Sequence, residues 1–122
     1  MIGGLEEGLK LNFNKTGTLL TFLIADAPCH GKQYHDLPKF FDHYHDKIAD
    51  NTIENLMIKY KKVNTASYFC AFKLTSKTDK VFNIMKQTFG GEGFVITPKT
   101  EDESDFMDMF LEQTTTFLNQ HL

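Results

Sequence analysis

Between Thr18 and Asp26 the chain reads Thr-Leu-Leu-Thr-Phe-Leu-Ile-Ala-Asp, and from Leu19 to Ala25 only Thr21 interrupts an apolar run. No longer apolar run occurs, and this one is far too short for a membrane span, which needs about 20 residues. A short, nearly continuous apolar segment is the pattern of a strand buried on both faces, as in a parallel sheet. Pro28 and Gly31 end it. Parallel strands cannot be joined by tight turns, so such a strand implies crossover helices around it.

The rest of the chain supplies them. Ile2, Leu5 and Leu9 stand at helical spacing, predicting a short helix over Gly4 to Asn12. A second helix is expected from near Pro38, a residue suited to a first turn, with Leu37, Phe41, Tyr44 and Ile48 as its apolar stripe. Asn51 with Glu54 reads as the start of a third, carried inward by Ile53, Leu56, Met57 and Tyr60. Ala66 to Thr75 is aromatic and apolar, the second strand. Ser76 and Asp79 form a helix-start signal, Val81, Phe82, Met85 and Phe89 a stripe, and Gly90-Gly91 a stop. Gly93 to Thr97 is a short third strand. Thr100 and Glu103 make a capping box for a last helix reaching about Gln120, with Phe106, Phe110, Leu111, Phe117 and Leu118 facing in. The expected fold is α/β: a Rossmann-like open parallel sheet of about three strands with helices on both faces.

Composition narrows the function classes. With 122 residues, 41% of them hydrophobic, the chain fits one small domain or part of one. A formal net charge of -3, with the signs mixed along the chain, gives no reason to expect nucleic acid or an anionic membrane as partner. The start, with Glu6 and Glu7 where a secretion signal carries bases, points to a cytoplasmic protein. Two cysteines, Cys29 and Cys70, do not suggest a disulfide scaffold. Cys70, in mid-strand among aromatics, reads as an inert buried thiol.

The segment from Ile24 to Asp36, Ile-Ala-Asp-Ala-Pro-Cys-His-Gly-Lys-Gln-Tyr-His-Asp, resembles von Willebrand factor A-type domains of the alpha-kinase-associated kind. Gly3-Gly4-Leu5-Glu6-Glu7-Gly8-Leu9 is similar to the helix preceding that strand in the family, and Thr78-Asp79-Lys80 followed by Phe82 to a later stretch. The likeness spans most of the chain and fades after Phe94. It implies a single partial domain over residues 1–122, the C-terminal half of the A-type fold. In complete members a divalent cation sits at the C-terminal edge of the strands, held by an Asp-x-Ser-x-Ser motif, a Thr on a later loop and an Asp ending the fourth strand. Only that last ligand has a counterpart here, Asp26. No Asp-x-Ser-x-Ser is present, and the Thr expected before Gly3-Gly4 is missing. The cation site is therefore incomplete, no cofactor is expected, and Mg²⁺ binds only if another segment supplies ligands. The resemblance implies a non-catalytic protein-interaction module or a fragment of one.

A different class competes with it. Asp26 stands at the C-terminal end of a predicted strand, the edge where open α/β sheets take ligands. Beside it are Cys29, His30 and His35, and four of the five histidines fall between Cys29 and His45. A cysteine nucleophile with a histidine base is one chemistry these residue types allow. A zinc site drawn from Cys29, His30, His35, His43 and His45 is another. The spacing matches no closed zinc motif, and no oxyanion-hole signal accompanies the cysteine. The simpler reading of Cys29-His30-Gly31 is a tight turn. Gly90 to Gly93 follows a helix and precedes a strand, the reverse of a phosphate loop.

The resemblance implies that the strands that flank Thr18 to Asp26 in the family are absent, leaving the most apolar strand at a sheet edge. That predicts pairing with a protein partner, self-association or low stability. The other possibility is a rearranged sheet with Thr18 to Asp26 in its middle.

Overall fold

The computed structural model describes residues 1–11, 14, 16–38, 42, 51–100 and 102–121. Its elements run α1 (Ile2–Leu9), β1 (Thr18–Ala25), α2 (Ile53–Lys62), β2 (Ala66–Lys73), α3 (Asp79–Phe89), β3 (Phe94–Ile96) and α4 (Glu103–His121), with one-turn 3₁₀ segments at Ser76–Thr78 and Gly91–Gly93. The helix expected from Pro38 falls on residues 39–41 and 43–50, outside the described residues. Among the described residues no helix is long and apolar enough to cross a membrane.

The three strands form one parallel sheet in the order β1-β2-β3. β1 pairs with β2 over its whole length, from Thr18 opposite Ala66 to Ala25 opposite Lys73. Only Phe69, Cys70 and Ala71 pair with β3. The pleat then sorts the side chains. Phe69 and Ala71 of β2 face a layer made by Leu5 of α1, Leu56 and Met57 of α2 and Phe82 and Met85 of α3. Cys70 and Phe72 face the other way, onto Phe117, Phe106 and Phe110 of α4. Successive strand residues point to opposite faces, so a single apolar strand feeds both layers. The chain is thus α/β and Rossmann-like, an open three-stranded parallel sheet covered by α1, α2 and α3 on one face and α4 on the other.

β2 is central, with Phe69, Cys70, Ala71 and Phe72 all buried. β1 lies at the edge: its residues are half-buried, and Ile24 is 50% exposed. The rearranged sheet is therefore excluded. The sequence ranks β1 as the more apolar strand, yet among the described strands it is the aromatic β2 that has a neighbour on each side.

Helix ends follow local chemistry, with small shifts from expectation. α1 begins at Ile2, ahead of Gly4, and ends at Leu9. α2 is capped by Thr52, whose hydroxyl accepts the Asn55 N–H at 3.1 Å, and not by Asn51. Glu54 in its first turn and Lys59, Lys61 and Lys62 in its last complement the helix dipole. The start signal at Ser76 moves to Thr75, whose hydroxyl accepts from the Lys77 N–H at 3.3 Å. Asp79 instead pairs with Lys73 at the end of β2, 2.6 Å away. The box expected at Thr100 does not form: the Thr100 hydroxyl is buried without a hydrogen-bond partner, and Asp102 accepts the Ser104 N–H at 2.8 Å. Gly90 and Gly91 close α3 with φ of 75° and 68°, values that side chains resist. On α4, Leu111 is 59% exposed and does not face in as its spacing suggested.

Candidate functional site

Parallel strands leave their C-terminal ends beside the N-termini of the helices that follow. Here that rim carries the turn after β1, residues 26–38, against the starts of α2 and α3. Asp26 is exposed at the first position past the strand. It lines an open groove of about 630 Å³ along the outer edge of β1, bounded by residues 21–28 on one side and by Met1, Gly4, Leu5 and Gly8 of α1 on the other. α1 is held over this groove by Tyr60 of α2, whose hydroxyl donates to the Leu5 carbonyl at 2.7 Å.

Three residues further on the chain turns inward. Cys29 is only 5% exposed and packs in the layer formed by α1, α2 and α3. Burial pushes its thiol up to about 12, so at neutral pH it holds its proton. Cys70, on the opposite face of the sheet, is pushed up to about 11 for the same reason. Both cysteines are free thiols.

The histidines converge on a residue that sequence reasoning did not single out, Asp42. One of its oxygens meets His30 Nδ1 at 2.7 Å. The other meets His35 Nε2 at 2.7 Å and accepts the Gly31 N–H at 2.9 Å. His30 is exposed, whereas His35 and Asp42 are buried. The Leu37 N–H donates to His35 Nδ1 at 3.1 Å, so that nitrogen accepts and the ring proton sits on Nε2, aimed at Asp42. Gly31 has φ of 114°, and a Cβ there would stand 2.8 Å from the Gln33 side chain. Glycine lets the backbone bend enough to present its N–H to the carboxylate. The sequence signal for Asp42 was weak: it is one of several acids in a histidine-rich window, and only folding selects it.

Two further ties hold the turn. Tyr34 is buried, accepts the Ile53 N–H at 3.2 Å and donates to Glu54 Oε2 at 3.3 Å, so its ring anchors the turn to the first turn of α2. Lys80 of α3 donates to the Lys32 carbonyl at 3.4 Å and to Asp36 at 3.3 Å.

The structure therefore brings His30 and His35 together on Asp42, but buries Cys29 in the core and leaves Asp26 exposed at the groove. His43 and His45 lie outside the described residues. Among the described residues no group of three or more His, Cys, Asp or Glu side chains is arranged to hold a metal ion. No family model, curated protein or solved structure matches the chain.

Proposed function

We propose that this chain is a non-catalytic protein-interaction module of the von Willebrand factor A type, or a fragment of one, making its contacts at the strand rim around Asp26 and along the edge of β1 that no described residue pairs with. The observation that carries this reading is how the chemically capable side chains are used. Cys29 is a protonated core thiol. His35 spends one ring nitrogen on Asp42 and the other on Leu37. These groups brace a turn, and beside it lies an open groove along the β1 edge that pairs with no described residue, with exposed Ile24 at its side. Such an edge suits addition of an extended segment, with main-chain hydrogen bonds for affinity and side-chain pockets for selectivity. Two free cysteines on opposite faces of the sheet agree with a cytoplasmic setting.

A displayed library of extended peptides, selected against the native protein, tests the contact face. Peptides recovered on the wild type are expected to lose binding to Ile24→Lys and Asp26→Ala and to keep it for Leu111→Lys on α4. Peptides indifferent to both rim substitutions would overturn the reading. The rival, a metal-dependent or thiol enzyme built on Asp26, Cys29 and the histidines, predicts stoichiometric zinc, a large gain in stability with Mg²⁺, or rapid alkylation of Cys29 in the native state. Any of these would displace the binding module.

A further inference from the structure

We infer that α1 is a displaceable strap: it leaves the groove by unravelling, ahead of the rest of the chain, and this local equilibrium sets how wide the groove stands and when Cys29 meets solvent. α1 is the wall of the groove and no occupant is assumed, so a failed test leaves the binding module standing.

The build of α1 singles it out. It has eight residues, and three of them are glycine: Gly3, Gly4 and Gly8. Glycine weakens a helix because it loses more backbone freedom on folding than any other residue. A Cβ at Gly3 or Gly4 would meet nothing within 4 Å, so no close packing accounts for these two. Gly8 differs, since a Cβ there would collide with the Tyr60 hydroxyl. Leu5 is the one buried residue of α1; Ile2 and Leu9 are half-buried against the core. Among the described residues one hydrogen bond ties α1 to another element, from the Tyr60 hydroxyl to the Leu5 carbonyl.

A detached α1 does not persist as a helix. Isolated helices shorter than about 12–15 residues are marginal in water, and this one is weakened further by glycine. Leaving the groove therefore means unravelling, and whatever favours helix at Gly3 and Gly4 keeps the strap closed.

Opening uncovers a defined place. Leu5 packs in one cluster with Leu56, Met57 and Cys29, and Met1 and Pro28 line the groove together. Burial raises the Cys29 thiol and the Met1 amine works against that rise, so the start of α1 stands within electrostatic reach of the sulfur. Cys70 packs on the other face of the sheet against Phe117, away from α1, and serves as the internal control.

Hydrogen exchange of the amides from Leu5 to Leu9 and alkylation of both cysteines by N-ethylmaleimide, over a series of low urea concentrations on the full chain, test the strap. The α1 amides and Cys29 are expected to open at a lower free energy, and with a much shallower urea dependence, than the β2 amides and Cys70. Cys29 should still label far more slowly than an unfolded thiol. Gly3→Ala combined with Gly4→Ala should slow α1 exchange and Cys29 labelling about tenfold, and Tyr60→Phe should speed both about fivefold. Opening of α1 and Cys29 only together with β2, at its free energy and urea dependence, overturns the inference. So does labelling of Cys29 while the α1 amides stay protected, or a folded alanine variant in which both rates are unchanged. Should Tyr60→Phe not fold by circular dichroism, the wild type and the alanine variant decide.

Discussion

His35 Nε2 lies 2.7 Å from Asp42 Oδ2, and both side chains are buried. The turn after β1 is organised around that pair: the second Asp42 oxygen takes His30, and the Gly31 N–H joins His35 on the first. A carboxylate taken out of water is tolerated because donors surround it. Removing it leaves the Gly31 N–H and the His35 ring proton without their acceptor.

Asp42→Ala is accordingly expected to destabilise the fold by about 3 kcal/mol, read as a lower urea midpoint. Exchange of the Gly31 amide should speed up with it. A loss below about 0.5 kcal/mol, the range of an ordinary surface substitution, would show that the pair does not hold the turn.

Stability should fall in alkali. Cys29 ionises at the ordinary thiol value of 9.0 when unfolded but is held up to about 12 when folded by burial, and Cys70 to about 11. The folded state therefore keeps protons that the unfolded chain releases. The contribution of each thiol is fully present below pH 9.0 and is lost as pH rises toward the folded value. Urea midpoints measured at rising pH should decline above that point, and less steeply in Cys29→Ala. A flat profile would mean that Cys29 is not buried in the core.

Thr52→Ala should cost about 1 kcal/mol, the usual loss for an N-cap, because its hydroxyl accepts the Asn55 N–H. Asn51→Ala should cost less, since among the described residues its side chain accepts from the adjacent Thr52 N–H and caps no N–H inside the helix. Thermal melts of the two variants check this, and the reverse order would return the cap to Asn51.

Two apolar residues of α4 should behave oppositely. Phe117 is buried among Phe22, Tyr68 and His121, so Phe117→Ala is expected to cost about 3–5 kcal/mol. Leu111→Lys, at an exposed site, should stay within about 0.5 kcal/mol. Denaturant titrations of both separate the buried face of α4 from its wet one.

The local pattern of residues by itself determined the types of the described helices and strands and which strand side chains share a face. Alternation along Phe69, Cys70, Ala71 and Phe72 is a property of the strand, and the spacing of Val81, Phe82, Met85 and Phe89 a property of the helix, so both could be read without the fold. Tertiary structure decided what depends on which segments meet. It chose β2 over the more apolar β1 for the centre of the sheet, since burial follows the number of neighbours and not apolar content alone. It moved caps by a residue or two, where several hydroxyls and carboxylates stand close enough to compete. It also gathered His30, His35 and Gly31 on Asp42, because hydrogen bonds between residues 7 to 12 positions apart leave no periodic trace in a sequence.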